Sequence, residues 1–102
     1  YYERLVANNG GMEATQGFAR TFFVPGMNHC SGGPATDNFD SVQAMVDWVE
    51  KGVAPDTMAA KALPANPFMP NRTRPLCAYP QFAKYKGSGN VEDASSFVCA
   101  AE

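Results

Sequence analysis

Five of the eight prolines of this 102-residue chain fall between Leu63 and Pro80: Pro64, Pro67, Pro70, Pro75 and Pro80. Proline locks φ near −65° and has no N–H to donate, so the stretch excludes a long helix and a central strand. A segment denied both has to be tied down by other means. Cys77 and Cys99 offer one. A bridge between them would close a loop of roughly 20 residues and add about 3 kcal/mol by restricting the unfolded chain. The alternative is two unrelated cysteines; the poor local structure around them favours the staple.

The first sixty residues carry more regular signals. Tyr1–Ala7 reads as the end of a helix, stopped by Asn8-Asn9-Gly10-Gly11. Met12–Gly17 is a connector with room for one helical turn. Phe18–Val24 is apolar for most of its length and predicts a strand covered on both faces of a parallel or mixed sheet. Asp40 is placed as an N-cap with Gln43 three residues on. Val42, Met45, Val46 and Val49 then recur on one helical face, flanked by Trp48. Lys51 suits the negative end of that helix, Gly52 its left-handed stop, and Pro55 lies beyond. Met58–Ala62 predicts a short strand, Phe82–Lys86 a turn of helix, Gly87–Asn90 a turn, and Asp93–Cys99 a short helix or extended chain. The domain reading is one unit over 1–102, with a helix–strand–helix part at 1–62 and a stapled tail at 63–102.

Between the predicted strand and the Asp40 helix lies Pro25-Gly26-Met27-Asn28-His29-Cys30-Ser31-Gly32-Gly33-Pro34. A strand that stops abruptly and presents the sole histidine on a glycine-rich loop is one way hydrolase folds mount a general base. A lone histidine at a strand end is also a common surface or packing residue. A Cys₃His zinc site is disfavoured, because His29 and Cys30 are adjacent and point apart and no C-x₂-C spacing exists. The Ser31–Pro34 run lacks the pattern of a phosphate-binding loop. A serine hydrolase needs a histidine within reach of a serine and oriented by a carboxylate. No G-x-S-x-G is present, and the only acids before His29 are Glu3 and Glu13. On this reading the serine and the acid precede Tyr1.

The formal net charge is −2 and the eight Lys and Arg are scattered, so no basic stripe marks a nucleic-acid surface. No apolar run reaches the length of a membrane span. Asn71-Arg72-Thr73 is a formal glycosylation sequon, meaningful only in a eukaryotic secretory protein. The chain opens at Tyr1, inside what reads as a helix, which gives the expectation of a piece of a longer protein. Three cysteines leave one, Cys30, without an internal partner if the other two pair.

Val24–Pro34 (V-P-G-M-N-H-C-S-G-G-P), Phe39–Asp56 (F-D-S-V-Q-A-M-V-D-W-V-E-K-G-V-A-P-D) and the run from Arg72 to Cys99, which carries R-P-L-C-A-Y-P, resemble the C-terminal end of the tannase and feruloyl esterase family. That family includes an esterase of mono(hydroxyethyl) terephthalate. The resemblance runs from about Tyr2 to Cys99. The motifs P-G-M-x-H-C, W-V-E-K-G-x-A-P and R-P-L-C-x-Y-P occur together and in order. Ala78, where many relatives have proline, is a minor departure.

The resemblance implies the C-terminal portion of an α/β-hydrolase fold: last helix, last sheet strand, histidine loop, closing helix and stapled tail. It implies that His29 is the catalytic histidine of a serine esterase acting on galloyl, feruloyl or related aromatic esters. Cys30 matches a cysteine bridged to one beside the nucleophilic serine, outside this chain; Cys77 and Cys99 match a second, local bridge. No cofactor is implied within these residues, although some relatives bind calcium in a lid domain that is also outside them. The expected partners are the aromatic ester and the remainder of the same polypeptide, with no nucleic acid and no membrane. Alone, the chain is expected to self-associate through its apolar strand and helix face and to lack activity. The disulfides imply a secreted or periplasmic protein. The rival reading is a small secreted binding module with one internal disulfide, in which His29 is incidental.

Overall fold

The computed structural model describes residues 1–102 and shows a mixed α/β arrangement built on two small antiparallel sheets. Helices α1 (Tyr2–Asn8) and α2 (Met12–Gln16) come first, and α3 (Ser41–Lys51) follows β1 (Asn38–Phe39). The strands β2 (Thr57–Lys61) and β3 (Thr73–Cys77) complete the first sheet in the order β1-β2-β3. β4 (Phe82–Tyr85) pairs with β5 (Phe97–Ala100) to form the second, after a 3₁₀ turn at Ala94–Ser96.

Helix α3 forms as its sequence dictates. The Asp40 carboxylate accepts from the Gln43 amide at 2.9 Å, satisfying an orphan N–H at a gain of about 1 kcal/mol. The Gln43 side chain does not return to close a capping box; it donates to Asp47. Gly52 ends the helix at φ 69°. The apolar face of α3 is left uncovered: Val42 and Val49 are 74 % and 76 % exposed.

The predicted strand at Phe18–Val24 does not form. Only Phe22 makes an isolated bridge, to Ala78, and the Thr21 carbonyl accepts from the Tyr79 amide at 2.8 Å. A strand exists only where a neighbour pairs with it, and no second strand runs along this one. Its expected double burial is absent too, since Phe18 and Phe23 stand largely exposed. The segment is anchored instead through Tyr79. That ring packs edge-on against Tyr2 and Phe23, while the Tyr79 hydroxyl donates to Glu3 at 2.5 Å. Hydrogen bonding to that carboxylate holds the phenol above its usual pKa.

The tail is more regular than its prolines imply. Pro75 sits within β3, opposite Ala59. β3 is an edge strand, and the Thr73 N–H points away from β2 to the Glu92 carbonyl. Pro75, two residues on, therefore turns its nitrogen to the same outer side and removes no bond from the β2 ladder. Phe82–Lys86, predicted as a turn of helix, is instead β4 followed by its turn. Cross-strand pairing with β5 decides this, and no local signal encodes it. The Cys77–Cys99 disulfide ties β3 to β5. Arg72 grips Glu92 with two bonds of 2.6 and 2.8 Å, which raises the Arg72 pKa and holds Glu92 below the usual carboxylate range.

Ten residues are buried, most of them small: Ala35, Ala60, Ala62, Ala78, Thr15, Thr36 and Ser96 among them. The large apolar side chains mostly face outward, so these residues do not close a full hydrophobic core among themselves.

Candidate active site

The histidine loop is a closed neck with a short raised tip. Gly26 (φ 79°) and Gly33 (φ 85°) form the neck, where the backbones touch. A Cβ on Gly33 would lie 2.6 Å from the Gly26 carbonyl oxygen, and one on Gly26 would overlap the Pro34 carbonyl. Only glycine fits at either position. Above the neck the Asn28 amide donates to the Gly32 carbonyl at 3.0 Å, and His29, Cys30 and Ser31 are the tip between them. The Asp37 carboxylate accepts from the Gly32 amide at 2.7 Å and holds the tip from below. Cys30 adopts a left-handed φ of 69°. That costs a non-glycine residue roughly 1 kcal/mol, a strain that persists only where its surroundings impose it.

His29 and Cys30 are exposed, and Cys30 is a free thiol. Contrary to the expectation that adjacent side chains point apart, the His29 Nδ1 lies 3.3 Å from the Cys30 sulfur, with the donor set by the tautomer; the left-handed turn at Cys30 accompanies this contact. No serine hydroxyl and no carboxylate bonds to the imidazole among the hydrogen bonds of the chain. The nearest acid along the loop, Asp37, is committed to the Gly32 amide. What the arrangement supplies chemically is an exposed imidazole on a tightly turned loop, whose Nε2 makes no hydrogen bond within the chain. Two clefts of about 530 and 780 Å³ lie against β3, and His29 lines neither of them. No group of three or more His, Cys, Asp or Glu side chains converges as a metal site. The predicted site residues thus fall into two places: His29 and Cys30 together at the loop tip, and Cys77 and Cys99 joined in the tail.

Two residues that shape the loop carry little sequence signal. Asp37 sits in a polar stretch with nothing to distinguish it. Asn66 precedes Pro67, a turn dipeptide, but nothing local marks its reach to the neck, where its Nδ2 donates to the Gly33 carbonyl at 3.2 Å.

The tannase and feruloyl esterase family model matches residues 1–100. The mono(2-hydroxyethyl) terephthalate hydrolase of Piscinibacter sakaiensis is 55 % identical over 102 residues, covering 99 % of this chain and 16 % of that protein. A probable feruloyl esterase of Arthroderma benhamiae is 38 % identical, covering 98 % of this chain and 19 % of its own length. Among solved structures, an esterase from Aspergillus oryzae superposes with a TM-score of 0.82 at 32 % identity, over 98 % of this chain and 23 % of that one. Feruloyl esterase B from the same organism gives 0.78 at 30 % identity, over 98 % of this chain and 22 % of its own. The chain spans less than a quarter of each of these proteins. No helix is long and apolar enough to cross a membrane. The three motifs, the histidine loop and the stapled tail are accounted for together: the chain belongs to the tannase and feruloyl esterase family.

Proposed function

We propose that this chain is the C-terminal part of a secreted or periplasmic serine carboxylic-ester hydrolase of the α/β-hydrolase fold, acting on aromatic esters, and that His29 is its general base. The observation that carries the reading is the sole histidine, exposed on a glycine-necked loop, in a chain of this family. In this reading the nucleophilic serine and the triad acid belong to polypeptide outside these 102 residues, as does any calcium-binding lid. His29 takes the serine proton as the hydroxyl attacks the ester carbonyl, then returns it to the departing alcohol. A covalent acyl-enzyme follows, and water activated by the same imidazole clears it. The oxyanion hole also comes from outside these residues.

Cys30 is read as one half of a disulfide whose partner lies beside the serine. Such a link shortens the lever arm between nucleophile and base, whose placement must hold to fractions of an ångström. The thiol is free and exposed, which this reading requires. The uncovered face of α3 and the 18–24 segment, which makes a single bridge, are read as surfaces for the same outside polypeptide. The experiment is an assay of the isolated chain with a p-nitrophenyl ester. We expect no turnover above the background of free imidazole. Turnover that is abolished by His29→Ala in the isolated chain would refute the division of the triad.

A further inference from the structure

The segment from Leu63 to Asn71 contains no helix and no strand, yet one side chain in it has every polar group in use. The Asn66 Nδ2 donates to the Gly33 carbonyl at 3.2 Å and, more weakly, to the Ala35 carbonyl at 3.5 Å. Its Oδ1 accepts from the Phe68 amide at 2.9 Å and the Met69 amide at 3.0 Å. The first pair reaches more than thirty residues back along the chain; the second pair shapes the turn that Asn66 itself occupies. A carboxamide alone can do both, because it carries two donors and an acceptor on one planar group. Pro64, Pro67 and Pro70 lie around it and restrict the unfolded chain, so this turn is held at lower entropic cost.

Gly33 is the neck residue whose backbone abuts Gly26, and Ala35 just beyond it is buried. Holding those two carbonyls fixes the outgoing arm of the loop, and Asp37 on Gly32 steadies the same arm one residue earlier. We propose that Asn66 is a positioning residue for His29, clamping the neck of the loop to the proline-rich strap. The catalytic consequence rests on His29 being the general base; the clamp itself does not. A base displaced by about 1 Å loses up to roughly a hundredfold in rate, so a loosened neck is felt at the tip.

Asn66→Asp is the informative variant. It keeps the acceptor that shapes the turn, removes both donors, and sets carboxylate oxygens against the Gly33 and Ala35 carbonyls. In the 102-residue chain we expect amide hydrogen exchange at Asn28 and Gly32 to quicken roughly tenfold, while the β4–β5 amides keep their protection. The ring resonances of His29, the sole histidine, should shift with it. Unchanged exchange and unchanged ring shifts in a folded variant overturn the clamp. Should the variant not fold, the unaltered chain decides. The Asn66 Nδ2 protons should exchange several-fold more slowly than those of Asn90, which donate to nothing. Equal rates overturn the proposal.

In an esterase that contains this segment, Asn66→Asp should lower kcat roughly tenfold or more with KM within about twofold, as expected for a displaced base. Unchanged kcat there overturns the positioning role. His29→Ala in the same protein is the control: if it leaves turnover intact, the general-base reading fails, and the exchange experiment still judges the clamp.

Discussion

The histidine loop and the stapled tail are made of similar material, turns rich in glycine or proline, and they are held in opposite ways. The tail has a covalent bridge, a bidentate ion pair and a two-stranded sheet. The loop has none of these. Two glycines permit its neck to close, and three side-chain hydrogen bonds from Asn66 and Asp37 keep it there. The tail carries its own staple, ion pair and sheet and leans besides on the β2 ladder, whereas the loop borrows its order from the tail through Asn66. A loop so held keeps its tip free for groups that are not in the chain, which is what a base for an outside nucleophile requires.

This contrast is easiest to break at the bridge. Replacing Cys77 and Cys99 with serine should lower the unfolding free energy by about 3 kcal/mol, read as a fall in the urea midpoint. A loss below about 1 kcal/mol would mean that the tail is not held mainly by its staple. The neck comes next. Gly33→Ala forces a side chain into a left-handed backbone and against the Gly26 carbonyl, at a cost of roughly 1–3 kcal/mol. Hydrogen exchange should show the damage confined to residues 26–37, with β4 and β5 unaffected. Spread of the damage into the tail would show that the two regions are one cooperative unit.

The smallest effect is expected from acid. Glu92 has its pKa lowered chiefly by hydrogen bonding from Arg72, so the pair stabilises the fold above the ordinary Glu value, and the contribution is lost as pH falls through the lowered one. Arg72→Lys at Glu92 would keep charge without the fork, so Glu92→Gln is the cleaner probe. The melting temperature of the parent chain should exceed that of Glu92→Gln by a small margin at neutral pH, and the margin should close in acid. A margin constant with pH would assign the tail's order to the disulfide and sheet alone.

The sequence made the local features legible. Asp40 and Gly52 bound α3 as their capping chemistry requires, the 77–99 staple exists, and the Met58 region is a strand. What escaped was non-local. Phe18–Val24 has the composition of a buried strand but finds a partner only at Phe22, and strand formation is a property of the pair. Phe82–Tyr85 alternates weakly and becomes a strand because β5 lies beside it. Pro75 argued against a strand, yet an edge with its nitrogen turned outward tolerates it. His29 stood out in the sequence by its loop and by the family motif, and the structure leaves it exposed on that loop. Asn66 did not stand out, because its role depends on carbonyls more than thirty residues away.

The proposed role of His29 is that of the base of an ester hydrolase. Its most direct test is the steady-state hydrolysis of an aromatic ester by a longer polypeptide of this family that contains this chain, with and without His29→Ala. Loss of the base should lower kcat by at least about 10³-fold, with KM little changed. A variant that retains kcat within a few-fold would contradict it and leave the loop as a structural turn.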